Sequence, residues 1–249
     1  MKIRRLSLSG VLAALLLAGP ALASPLVEFA PETSQDAASF QELKQIEEIL
    51  AKVSKLRALP VVRPIQVGLL DRSQLQHKLT QQIAEEIPAD KLRGEAALYH
   101  QLGMLPAGFD YKTFLIDLYT EQIGGFYDPK TRELKLIKGT PLTGLDQQLL
   151  ISHELTHALQ DQRYDLNKFL NSDSGNDDRS LAQMALIEGD ATVSASEYIQ
   201  SRASAKPLQG LLEVLGSAFN AARQIPGFEK FRSAPAFIRD SLIFPYDQG

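Results

Sequence analysis

His153, Glu154 and His157 stand in the order His-Glu-Leu-Thr-His. On a helix, residues four apart lie one above the other, so both imidazoles can offer a ring nitrogen to one metal ion. Glu154 is rotated about 100° from His153, to the flank of that face, where its carboxylate can reach a water molecule held beside the imidazoles. Neutral imidazole suits zinc, and a hydrolytic zinc site uses three protein ligands and leaves the fourth position to water, whose pKa falls towards ~7. In that arrangement Glu154 takes the proton of water as general base and passes it to a leaving amine.

The third ligand must come from elsewhere in the chain. Within residues 180–197, Glu188 and Asp190 are acids in apolar company, and a buried carboxylate is costly without a metal or a cationic partner. Residues two apart on a helix differ by about 200°, so one of the pair is expected to face the His153 helix. Glu188 is the expected ligand. Its face carries Leu181, Met184, Ala185, Ala191 and Thr192, and Gly189 and Ala191 are small enough for two helix backbones to approach closely. A structural acid bonded to backbone or arginine is the plainer alternative. Asp190 reads as a partner that orients a ligand imidazole, or as a cap or ion pair. Asp161, one turn beyond His157, could orient it too, although a solvated helix end is the simpler account. His77 and His100 have no partner motif and read as exposed.

These side chains need elements to hold them. Thr143 and Asp146 have the spacing of a capping box, and the apolar run through Leu149, Leu150, Ile151, Leu155 and Leu159 continues the helix that carries His153 and His157. Residues 180–197 predict a second helix, apolar on most sides up to Val193 and therefore buried. Upstream, Leu43, Ile46, Ile49, Leu50, Val53 and Leu56 recur at helical spacing from Phe40 and stop before Pro60. Val61, Val62, Ile65, Val67 and Leu69 predict a strand, with Pro64 pushing it to a sheet edge. Leu75, Leu79, Ile83 and Ile87 mark a further helix. Residues 124–137 read as a hairpin turning at Asp128-Pro129.

Composition sets the outer bounds. The 249 residues are 44% hydrophobic and include no cysteine, which fits one globular catalytic domain without disulfides. The first 23 residues have the layout of a secretory signal peptide: Lys2, Arg4 and Arg5, an apolar run from Val11 to Ala18, and small residues at Ala21 and Ala23. That run is well short of the ~20 residues that span a bilayer. Residues 24–38 read as a linker and 39–249 as the catalytic domain. Removing residues 1–23 takes away three positive charges and no negative one, so the net charge moves from −4 to −7. Nucleic acid and anionic membranes are thereby disfavoured as partners, and the periplasm or the external medium is the expected compartment.

HELTHALQDQ, followed about thirty residues later by ALIEGDAT, resembles the gluzincin group of zinc metallopeptidases, and in particular its exported bacterial zincin-like members. The resemblance covers roughly residues 115–200. It implies an α+β, zincin-like fold, mostly helical, with a small sheet whose edge strand runs beside the active-site helix and holds an extended polypeptide substrate. Gly124–Tyr127 would be that strand, its free N–H and C=O groups pairing with the peptide. Many gluzincins place an aspartate four residues after the glutamate ligand, where this chain has Thr192. They also use a tyrosine or histidine to meet the developing oxyanion. No histidine follows His157, so a tyrosine must serve: Tyr164, Tyr198 or, held in a turn by Phe244-Pro245, Tyr246. Because the chain stops straight after the apolar run FIRDSLIFPY, a native continuation that completes the cleft is expected. Two other readings stand beside the peptidase: a catalytically silent zincin-like binding or assembly module, and a zinc amidase acting on cell-wall amide bonds.

Overall fold

The computed structural model describes residues 26–29, 40–139, 142, 144–170, 176–202 and 229–248. It is a mostly helical α+β arrangement around one small sheet. The strands are β1 (Val27–Phe29), β2 (Ile65–Leu70), β3 (Gly125–Asp128) and β4 (Glu133–Ile137). Their order is β1-β2-β4-β3, with β1, β2 and β4 parallel and β3 antiparallel to β4. The helices are α1 (Phe40–Arg57), α2 (Arg72–Glu86), α3 (Ala89–Gln101), α4 (Tyr111–Gln122), α5 (Leu145–Tyr164), α6 (Leu166–Leu170), α7 (Asp177–Arg202), α8 (Glu229–Ser233) and α9 (Ala236–Gln248).

Local chemistry explains several boundaries. Asp71 accepts from the Gln74 backbone at 2.8 Å while the Gln74 side chain accepts from the Asp71 N–H at 2.8 Å, a capping box that starts α2. In the hairpin, Asp128 Oδ1 accepts from the Lys130 N–H at 3.0 Å, and Arg132 closes the turn in the left-handed region at φ 60°. The α5 helix ends at Asp165, also left-handed at φ 54°.

Four sequence expectations need correction. Strand β2 lies inside the sheet between β1 and β4, because Pro64 precedes the strand's first residue and its missing N–H falls outside the ladder. Val27–Phe29, within the expected linker, form β1 and pair with Ile65–Val67. The N-cap of α5 is Gly144, without a side-chain cap bond. The partner expected there, Thr143, lies outside the described residues, as does the signal segment 1–23. The fourth concerns α7, which is not apolar-buried all round: Leu181, Met184, Leu186 and Val193 are exposed, so the helix buries one stripe.

The main core joins α1 (Ile46, Leu50, Val53), the sheet (Val67, Leu134) and α5 (Ile151, Leu155, Leu159). A second apolar cluster lies apart from it, where Leu105 and Leu118 meet Phe231 of α8, Ile238 of α9 and Ala234 between them. Among the described residues no helix is long and apolar enough to cross a membrane.

Candidate metal centre

The α5 and α7 helices pack along a seam of small residues. Ala158, Ala191 and Ser194 are fully buried there, and Thr156 Oγ1 bonds Ser194 Oγ at 2.9 Å. With little side-chain bulk between them, longer side chains from both helices can converge. His153 Nε2 lies 3.0 Å from His157 Nε2 and 3.0 Å from Glu188 Oε2, and His157 Nε2 lies 3.4 Å from the same oxygen.

Those three atoms fit a metal. A tetrahedral zinc ion with ligands at about 2.0–2.1 Å places its ligand atoms about 3.3–3.4 Å apart, close to the separations found. The group His153, His157 and Glu188 could therefore hold an ion. Without one, Glu188 serves as counter-ion to the imidazoles. Burial opposes its charge, but hydrogen bonds from His153 and His157 outweigh that and hold its carboxyl well below the usual range. Burial likewise pulls the His157 ring down, yet the Glu188 hydrogen bond and the Glu154 charge lift it to about 9.

Glu154 is buried, and the Tyr127 N–H donates to its Oε2 at 2.8 Å. Burial raises its carboxyl above the ordinary value, against the pull of His157 and His153. Ladder bonds of an antiparallel pair alternate, and Tyr127 is a position whose N–H points off the outer edge of β3. The edge strand expected beside α5 over Gly124–Tyr127 is found as β3, but its edge is not wholly free: the Tyr127 N–H is already taken by Glu154. The two glycines answer to close neighbours, Gly124 to α5 and Gly125 to β4. A Cβ on Gly124 would lie 3.0 Å from Leu150 Cδ2, and one on Gly125 would lie 3.0 Å from the Lys135 carbonyl oxygen.

Asp161 is not a solvated helix end, and its hydrogen bonds go to partners other than His157. It is buried and accepts from the Tyr127 hydroxyl at 2.9 Å, Arg63 Nη2 at 2.8 Å and the Leu166 N–H at 3.0 Å. Tyr127 thus ties β3 to α5 at both Glu154 and Asp161. The partner of His157 Nδ1 is Gln160 Oε1, at 2.9 Å, a residue that the sequence reading passed over. Gln160 Nε2 donates to Asp190 Oδ2 at 2.8 Å and lies 3.2 Å from the Ile187 carbonyl, and Asp190 is ion-paired with Arg57 of α1. Both acids of the Glu188–Asp190 pair therefore reach α5, one through the imidazoles and the other one turn further along. The signal that could have found Gln160 is its spacing, three residues after a ligand on the same helix face. Thr192 is half-buried.

Beyond this chain of bonds lies a cavity of about 380 Å³ lined by Arg57, Gln160, Asp190 and apolar side chains including Phe169 and Ile187. Of the tyrosines considered, Tyr164 is exposed, and Tyr198 is buried in the main core with Arg202 Nη1 3.3 Å from its hydroxyl. The expected turn around Phe244-Pro245 is instead part of α9, and the Tyr246 side chain lies outside the described residues. His77 and His100 are exposed, as expected. Comparison with family models, with curated protein sequences and with solved structures finds no match to this chain.

Proposed function

We propose that the chain is an exported zinc-dependent peptidase that hydrolyses polypeptide bonds, with His153, His157 and Glu188 as zinc ligands and Glu154 as general base. The observation that carries this reading is the convergence of three ligand atoms at 3.0–3.4 Å, from residues up to 35 apart, beside a buried glutamate. Zinc held there supplies Lewis acidity and brings the pKa of water towards ~7.

The protein's own groups do the remaining work. The Tyr127 N–H fixes Glu154 Oε2, and the carboxyl, raised by burial, is suited to take a proton from water and return it to the leaving nitrogen. His157 is held with its Nε2 towards the ligand group, because its Nδ1 is engaged by Gln160. The partner is an extended polypeptide, approaching from the side on which His153 and Glu188 keep some exposure. Tyr246 is the candidate oxyanion donor, on a helix that packs along α7, and Tyr246→Phe is expected to lower turnover with little change in binding. The acidic net charge and the composition of residues 1–23 support action in the periplasm or medium, away from nucleic acid.

The deciding experiment combines zinc analysis with cleavage of casein and of muropeptides by the wild type and by Glu154→Gln. The peptidase reading expects about one zinc per chain and casein cleavage that the variant loses. Cleavage of muropeptides alone would make it a cell-wall amidase, and zinc without any Glu154-dependent turnover would make it a binding module.

A further inference from the structure

The geometry points to Gln160 as a tautomer lock for the ligand His157, set by Asp190 and Arg57; this rests on the metal-centre reading above. A side-chain amide can face its neighbours either way round, and the two orientations have opposite consequences for a histidine. With its oxygen towards Nδ1, the amide accepts a proton from that nitrogen and leaves the Nε2 lone pair for a metal. Reversed, it donates to Nδ1, places the ring proton on Nε2 and closes the ligand position.

Gln160 has no such freedom. The other end of its amide meets Asp190 Oδ2 at 2.8 Å and the Ile187 carbonyl at 3.2 Å. An ionised carboxylate and a carbonyl accept and cannot donate, so that end must be the NH2 group. Oε1 then faces His157 Nδ1, at 2.9 Å. The other oxygen of Asp190 is ion-paired with Arg57, the last residue of α1. Gln160 is itself buried, where an amide is expected to keep direct partners at both ends. An arginine about a hundred residues upstream of the ligands in sequence thereby fixes which nitrogen of His157 is open. Arg57, Asp190 and Gln160 are positioning residues, and none of them replaces a ligand.

The test measures zinc affinity, by competition with a chelator, in four forms of the full chain: wild type, Gln160→Met, Asp190→Asn and the double variant. Gln160→Met keeps the length of the side chain and removes both polar ends, and should weaken zinc about 10–100-fold, the usual scale for losing such a partner. Asp190→Asn offers a donor as well as an acceptor, so the amide can reverse; its loss should be smaller. The double variant should be no worse than Gln160→Met alone, because Asp190 acts only through Gln160. In the zinc-loaded wild type, 15N NMR should show a slowly exchanging proton on His157 Nδ1, and Gln160→Met should expose it to exchange. Additive losses, or a Gln160→Met protein with wild-type affinity and wild-type exchange, would overturn the lock while leaving the metal centre standing. A wild type that binds no zinc would remove both. Should Asp190→Asn fail to fold, Gln160→Met and its NMR signature decide alone.

Discussion

The seam between α5 and α7 and the cluster where α8 and α9 meet Leu105 and Leu118 are both well-buried helical contacts, yet they are made of opposite materials. The seam buries Thr156, His157 and Gln160 beside its small residues, and the same helix α5 buries Glu154 and Asp161 against Tyr127 of β3. The cluster is built from Leu105, Leu118, Phe231, Ala234 and Ile238, with aromatic contacts such as Tyr99 against Phe237 at 4.7 Å. Apolar burial is non-directional and tolerates many arrangements. A buried polar network is stable only when its members are paired, so it specifies positions, and its composition is explained by what it holds rather than by how much it stabilises.

The sharpest way to break this contrast is at the ligands. His157→Ala is expected to yield protein that retains no zinc after dialysis against a mild chelator, while circular dichroism still reports the fold; retention of wild-type zinc would dismiss the seam as a metal centre. Leu118→Ala makes the opposite change. It should cost about 2–5 kcal/mol in denaturant unfolding, as for a fully buried leucine, and leave zinc affinity where it was. A Leu118 variant that loses zinc in proportion to stability would show the two regions to be energetically one.

Glu154→Gln separates chemistry from assembly within the seam. Turnover should fall at least about 100-fold, or about 2.7 kcal/mol in the barrier, with zinc content unchanged. The smallest effect belongs to Tyr127→Phe, which removes the hydroxyl that donates to Asp161 but keeps the N–H that holds Glu154. A loss of about 1–2 kcal/mol of stability is expected, with turnover reduced less than ten-fold. A larger catalytic loss would mean that the hydroxyl and the N–H position Glu154 together.

Spacing alone determined a good deal of this protein. The i, i+4 placement of His153 and His157 and the acid in an apolar helix at Glu188 depend only on helical geometry, and the structure brings these three side chains together. Helix α1, helix α2 and the hairpin were legible for the same reason, since their periodicities and turn residues are local. Tertiary structure decided what local pattern cannot encode. The order β1-β2-β4-β3 placed β2 in the interior despite Pro64, the turn of chain after Tyr164 brought Leu166 onto Asp161, and the segment before β2 brought Arg63 there. The bonds from Gln160 to Asp190 and from Asp190 to Arg57 join three helices across separations of 30 and 133 residues. No periodicity links residues so far apart. Their pairing follows from the packing of α1, α5 and α7 into one core, where a buried polar atom must find its partner among whatever the fold has brought near.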